Sequence, residues 1–387
     1  MTGLARLGPG RTASAPIASI RRNRKAELTY KPSKDGFGDA SESVKYATNF
    51  MERFGNLKNF VAAGGWCAPS ETIYDLCPPA SIDGLVDIPE VSAPRGGIRF
   101  PAGLDFSTIY AGGFHQTEAQ AIAGTTKPCI EITCPTFTEI RLELEGFCVK
   151  SPILTDVAFP ELGENFMANV LAAHAHRINA FKIARMVALS TANSVTPVPD
   201  FGAATTALEY LDLHAEWIRY RHRLMLNTPL EVVLPAWSRG AFRADFSKKN
   251  GVDLTSVSDA RLNQYFLDRN MRVQWVYDWQ DALVSGTAID FGGATVQDVW
   301  PTTVQALIYP AGTFFSATLD VITLDSIYDS TDLSTNVFTK LFTEEGINVA
   351  KQCFTSFVVT LPVCAAGGSG AQYAPVCAGA TALPAPA

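Results

Sequence analysis

The stretch Glu161 to Thr191, ELGENFMANVLAAHAHRINAFKIARMVALST, decides how the rest of the chain is organised. Met167, Leu171, His174, Ile178 and Phe181 recur at spacings of four and three, and Phe166, Val170 and Ala173 widen the stripe by a neighbouring row. This periodicity predicts a continuous helix. At 1.5 Å per residue it would be roughly 45 Å long, more than a compact domain needs, so the reading is a spine that connects regions. Pro197 and Pro199 end it.

Downstream, Leu208, Leu211, Ala215, Ile218 and Met225 predict a second helix over Thr206 to Leu226. The chain then turns to strands: Glu231 to Leu234, and Met271 to Trp279, where Met271, Val273, Trp275, Tyr277 and Trp279 alternate with mostly polar neighbours. A short helix is expected from Ser258 to Asp268, and further strands at Val304 to Tyr309, Ala317 to Leu324 and Phe354 to Leu361. Upstream, Ile140, Leu142 and Leu144 alternate with Glu139, Arg141, Glu143 and Glu145, which predicts a half-buried strand with its apolar side inward and Gly146 as its end. Residues 95 to 112, RGGIRFPAGLDFSTIYAG, read as a long hairpin or protruding loop, and Tyr46, Phe50 and Phe54 as a short helix over Lys45 to Phe54. The fold class is α+β, with segregated sheets rather than repeated βαβ units.

The chain has 387 residues, 47% of them hydrophobic and 18% charged, a composition that buries a core. A charge fraction this low fits surface lost to partner subunits, and equally an Asn, Thr and Ser surface. No uncharged apolar run reaches the roughly 18 to 20 residues of a membrane span, so no membrane partner is expected. Residues 1 to 34 hold eight cations, Arg21, Arg22, Arg24 and Lys25 among them, against the single acid Glu27, a net +7 that leaves −14 on the rest of a chain whose total is −7. Such an arm suits a polyanion or an acidic partner surface. A mitochondrial transit peptide is the competing reading, weakened by Pro9, Gly10 and Pro16. At the other end, Gln352 to Ala387 carries no charge, and its Gly, Ala and Pro tail predicts a flexible segment.

Signs of chemistry are few. There is no Walker A loop, Gly-x-Ser-x-Gly elbow, His-Glu-x-x-His or Rossmann fingerprint, so neither catalytic residues nor a cofactor are assigned. The eight cysteines, at 67, 77, 129, 134, 148, 353, 364 and 377, include no Cys-x-x-Cys pair, and reduced thiols without a structural metal are expected. His174 and His176 would stand about 200° apart on a helix and could not share a metal. In PAWSRGAFRADFSKK, Pro235 to Lys249, Trp237, Arg239 and Arg243 join Phe242 and Phe246 in a mixture suited to a protein interface, or to a helix that packs its aromatics inward.

Four stretches carry a resemblance: GGWCAPSETIYDLC (Gly64 to Cys77), SIDGLVDIPEVSAPRGGIRF (Ser81 to Phe100), KPCIEITCPTFTEIRLELEGFCV (Lys127 to Val149) and NVLAAHAHRINAFKIARMVALST (Asn169 to Thr191). Together they resemble the major capsid proteins of tailed bacteriophages of actinobacteria, which have the Hong Kong 97-type fold. The resemblance implies a basic N-terminal arm and short helix over 1–63, and a peripheral domain over 64–194 with an extended loop at about 85–125 and a spine helix at about 161–191. It implies an axial domain over 195–335, a return to the peripheral domain over 336–365, and a flexible tail over 366–387.

The implied function is self-assembly as hexamers and pentamers into an icosahedral shell around double-stranded DNA, within a virion assembled in the host cytoplasm. The alternative is an encapsulin-type compartment around a cargo enzyme. Arg21, Arg22, Arg24, Lys25, Arg95, Arg99, Trp237, Arg239 and Arg243 are the candidates for subunit contacts or for the inner surface. Scaffold, portal and decoration proteins are conceivable partners, and packaged DNA would be held by non-specific contacts. Some relatives carry a cleaved scaffolding region of roughly a hundred residues; only 63 residues precede the matching core here, so a separate scaffold, or none, is expected.

Overall fold

The spine helix forms where its periodicity places it. In the computed structural model it spans Pro160–Ala188, and the structure describes residues 79–362 apart from 102, 104–105, 133, 194–202, 251–256, 285–290, 295, 298–299 and 302. The expected basic arm, the helix at 45–54 and the uncharged tail lie outside the described residues. Pro160 opens the helix, where a missing N–H costs nothing, and Arg185 stands in the last turn, where a cation suits the helix dipole.

The chain begins with β1 (Glu90–Ser92), then a hairpin of β2 (Gly97–Pro101), α1 (Phe106–Ala111), α2 (Glu118–Ile122) and β3 (Phe137–Arg141). β4 (Glu143–Pro152), α3 (Ile153–Ala158), the spine helix α4 and β5 (Thr191–Ala192) follow. Next come α5 (Ala203–His222), β6 (Leu230–Pro235), α6 (Ser238–Asn250), α7 (Asp259–Leu267), β7 (Met271–Val276) and β8 (Thr303–Pro310). The last elements are β9 (Phe314–Ile327), α8 (Ser330–Leu333), β10 (Val337–Lys351) and β11 (Phe357–Pro362).

The strands form a four-stranded sheet β1-β9-β10-β4, a five-stranded sheet β5-β11-β8-β6-β7 and the two-stranded hairpin β2-β3. β9 thus belongs to the long sheet and β11 to the five-stranded one, so each lies across the domain boundaries expected from sequence.

Alternation along the five-stranded sheet divides its side chains between two cores. Leu230, Val232 and Leu234 of β6 and Ala306 and Ile308 of β8 face Leu208, Leu211, Ala215 and Ile218 of α5, with Phe242 of α6 and Phe266 of α7. On the opposite face, Val233 of β6 and Leu307 and Tyr309 of β8 meet Ile183 and Met186 of the spine helix and Val86 and Ile88. A strand covered on both faces shows no polar alternation, which explains why all six residues of β6 are buried.

Several expectations need correction. The second helix ends at His222, because Arg223 takes a left-handed φ of 49°, and Met225 is exposed beyond it. β7 ends at Val276; Tyr277 is exposed and Asp278 turns the chain with φ 62°. β10, fifteen residues long, had no expected counterpart.

The stretch 139–145 is split between the end of β3 and the start of β4, and the expected face holds only in its first part: Ile140 and Leu142 are half-buried beside exposed Glu139, Arg141 and Glu143, but at the end Glu145 is half-buried while Leu144 is 57% exposed. Gly146 does not end it. It sits inside β4 opposite Glu344 of β10, where a Cβ would collide with the Thr343 carbonyl oxygen, so the glycine permits close approach. Along the spine helix the buried residues are Val170, Ala172, His174, Asn179, Ile183 and Met186, while Phe166 and Leu171 of the expected stripe are exposed.

Candidate assembly surfaces

The hairpin is anchored at its base and bare along its length. Ile98 pairs with Ile140 and Arg99 with Glu139, Phe100 meets the Phe315 ring edge-on at 5.5 Å, and the Asn348 side chain donates to the Arg141 carbonyl at 2.7 Å. Beyond that base, none of the described residues from Pro101 to Glu139 is buried. Yet the segment carries Ile109, Tyr110, Phe114, Ile130 and Phe137, with Ile122 80% and Ile132 98% exposed. Much of what holds it is local, namely the Thr117 and Gln120 capping box, Phe106 stacked on Tyr110 at 6.1 Å, and Lys127 over the Phe114 ring at 5.6 Å, while Gly103 lies close against Cys353 and α1 comes near α5.

A second apolar surface follows α3 and the first half of the spine helix. Leu154 is 78% and Val157 76% exposed, and Phe159, Leu162, Phe166 and Leu171 continue it. Between these helices and the long sheet runs a groove of about 230 Å³, into which Lys340 reaches to pair with Asp156. Monomeric proteins rarely leave contiguous apolar surfaces of this kind in water, and such surfaces mark interaction sites.

The second half of the spine helix meets the long sheet through charge. Arg177 pairs with Glu145 at 2.8 Å, Lys182 with Glu90 at 2.7 Å, Arg185 with Glu143, and His174 Nε2 lies 3.4 Å from Glu345. Glu145 and Glu345 stand directly opposite each other in the β4–β10 ladder, so Arg177 of the helix supplies a cation to this like-charged pair. Glu143 and Glu145 are thus both engaged in ion pairs with the helix.

Between the spine helix and the five-stranded sheet lies a cleft of about 640 Å³ lined by His176, Trp237, Tyr277, Asp278, Phe291 and Trp300, among others. His176 Nδ1 is 2.6 Å from Asp278 Oδ2, as a general base stands to the carboxylate that orients it, but its Nε2 faces the Ser81 backbone carbonyl at 2.8 Å. The Ser81 hydroxyl donates instead to Asp83, so no nucleophile stands on the imidazole. Among the described residues no group of three or more His, Cys, Asp or Glu is placed to hold a metal ion.

Among the described residues, the site residues expected from sequence fall into two separate places. Arg21, Arg22, Arg24 and Lys25 lie outside the described residues. Arg95 is exposed in the turn before β2, and Arg99 packs its guanidinium over the Phe137 ring at 4.7 Å. Trp237 stacks on Phe291 at 5.6 Å and donates to the Gln280 carbonyl, while Arg239 and Arg243 share Asp259 at 3.4 and 3.1 Å. Phe242 is fully buried and Phe246 packs on the same core, so this segment is a helix with its aromatics inward. The sequence reading does not single out the apolar side chains of 106–137, whose signal is large apolar residues in a Gly- and Pro-rich loop, and it gives Phe166 and Leu171 to a packing stripe rather than to an exposed surface.

No protein-family model matches the chain, and no curated protein matches it in sequence. Among solved structures the chain is similar to one from Mycobacterium phage Che8, with a TM-score of 0.48 and 12% identity over 79% of this chain and 98% of that one. A chain from the asymmetric unit of the bacteriophage PhiM1 mature capsid has a TM-score of 0.46 and 14% identity over 76% of this chain and 91% of that one. A chain of a virus-like particle from Pyrococcus furiosus has a TM-score of 0.40 and 11% identity over 70% of this chain and 89% of that one.

Proposed function

We propose that the chain is a shell-forming structural protein, the major capsid protein of a tailed phage with the Hong Kong 97-type fold, which assembles as hexamers and pentamers around double-stranded DNA. The observation that carries the assembly reading is the pair of apolar surfaces that the chain does not itself cover, one on the hairpin and one along α3 and the spine helix. Copies that exchange these surfaces would remove both from water, each gaining roughly 25 cal/mol per Å² of apolar area covered. The resemblance of Ser81 to Phe100 and Lys127 to Val149 to phage capsid sequences supports the phage assignment over other shells. In this reading the long sheet with the spine helix forms the peripheral part and the five-stranded sheet the axial part. The basic residues of 1–34 are assigned to the inner surface or to neighbouring subunits, with packaged DNA as their polyanion.

Negative-stain electron microscopy and sedimentation of the chain, expressed alone and then with its neighbouring genes, test the proposal. Icosahedral shells or capsomer rings are the expected result; a chain that stays monomeric under both conditions overturns it. The contents of the particles separate the two uses of such a shell, since double-stranded DNA supports the phage reading and an enclosed enzyme the encapsulin one.

A further inference from the structure

His176 sits where three parts of the chain meet. Its Nε2 is 2.8 Å from the Ser81 carbonyl and its Nδ1 2.6 Å from Asp278 Oδ2, which also accepts from Asn179 Nδ2 at 2.8 Å. A carbonyl and an ionised carboxylate both only accept, so both ring nitrogens must carry protons for both bonds to form. A neutral imidazole has one N–H and would direct a lone pair at one of the two oxygens.

We infer that His176 is an acid-closed latch: doubly protonated, it ties residues 80–84 and the loop 277–284 to the spine helix, and on losing a proton it lets both loosen. The inference goes beyond the assembly proposal and does not depend on it, because every group involved belongs to one chain. The charged and titratable groups facing the ring are Asp278 and Asp281 from the loop after β7 and Tyr277 at 6.4 Å between ring centres; Asp83 lies on the Ser81 segment. Arg239 lines the same cleft but holds Asp259, and Arg177, next on the helix, is held by Glu145.

What the latch would release is already marked. Asp278 and Gln280 hold left-handed φ values of 62° and 56°, and Asp281 accepts the N–H groups of Asp278, Leu283 and Val284. Bonds that do not titrate border the latched parts: Ala80 N donates to Asn169 Oδ1 at 3.1 Å, Asn179 Nδ2 to the Tyr277 carbonyl at 3.1 Å and Trp237 to the Gln280 carbonyl, while Asn179 Oδ1 accepts from Val86 N at 2.7 Å and Gln274 Oε1 from Asp87 N at 2.8 Å. Loosening should therefore stop at Val86.

Burial pulls the His176 pKa down, but its bonds to Ser81 and Asp278 outweigh this and hold it above the ordinary imidazole value. With the folded pKa above the unfolded one, the latch contributes fully below about pH 6.5 and is lost as pH rises through the folded pKa.

Amide hydrogen exchange of the full chain at about pH 5.5 and 8.5, corrected for the intrinsic pH effect, reads this directly. A loss of protection is expected at 80–84 and 277–284, while residues 86–88 do not change. His176→Gln should be equally loose at both pH values. Unchanged wild-type protection, or a pH response that survives in His176→Gln, overturns the latch. Exchange at the His176 Cε1 hydrogen gives its pKa in the unaltered protein: a value above about 6.5 that falls in Asp278→Asn supports the inference, and a value at or below it refutes it.

Discussion

Phe242 and Phe266 are fully buried beneath the five-stranded sheet, while Ile122 and Ile132 of the hairpin are 80% and 98% exposed. Both regions are rich in large apolar side chains, so the difference lies in topology. Around β6, the helices α5, α6 and α7 cover one face and the spine helix with Val86 and Ile88 covers the other, and the chain completes its own core. The hairpin has two strands and two short helices of six and five residues, too little structure to form an apolar centre. One region is finished by folding and the other, in our reading, by association.

The largest expected effect breaks the comparison if it is false. Phe242→Ala should destabilise the chain by about 3–5 kcal/mol, measured by denaturant unfolding. Ile132→Ser should change chain stability by no more than about 0.5 kcal/mol yet reduce or abolish the particles seen by electron microscopy. Ile132→Ser unfolding as easily as Phe242→Ala would mean that the hairpin has a core of its own.

Two glycines at the junction sharpen the contrast. A Cβ at Gly146 meets Thr343 and Glu344 backbone in the facing strand, which cannot yield without parting β4 from β10; at Gly163 it meets chiefly the flexible end of Lys340. Gly146→Ala should therefore cost about 1–3 kcal/mol and Gly163→Ala less than about 1 kcal/mol, with thermal unfolding as the readout. Equal costs would show that β4 and β10 separate easily and that the long sheet is as yielding as the helix surface.

The same contrast explains what could be read in advance. The α5 stripe, Leu208, Leu211, Ala215 and Ile218, was legible because one helix face meets one core. The spine helix was legible as a helix and only in part in its faces. Val170 and His174 of the expected stripe are buried, but so are Ala172, Asn179, Ile183 and Met186, while Phe166 and Leu171 face outward. β10 was hidden because it lies between β9 and β4, with Glu344, Glu345 and Gly346 in mid-strand, a run that reads as a turn. The end of 139–145 reverses its face for a related reason: at Glu143 and Glu145 the side usually given to solvent is the one the spine helix meets with Arg185 and Arg177. A hydrophobic rule cannot anticipate a helix that docks through ion pairs.

Those ion pairs give the smallest expected effect. Arg185 and Glu143 are both partly exposed, so Arg185→Gln should cost at most about 0.5 kcal/mol, and the cost should shrink as salt shortens the screening length from about 10 Å at 0.1 M to about 3 Å at 1 M. Arg177→Gln should cost more, up to about 1 kcal/mol, because it leaves Glu145 opposed to Glu345 across the ladder. A second change, Glu145→Gln, removes that repulsion and should restore most of the loss, which a double-mutant cycle on unfolding free energies would measure. A cost for Arg177→Gln that neither salt nor Glu145→Gln alters would mean that the arginine acts by packing its stem on Phe147, whose ring lies 5.7 Å from its guanidinium carbon. The helix would then be docked by apolar contact along its whole length, and the division between its charged and apolar halves would not hold.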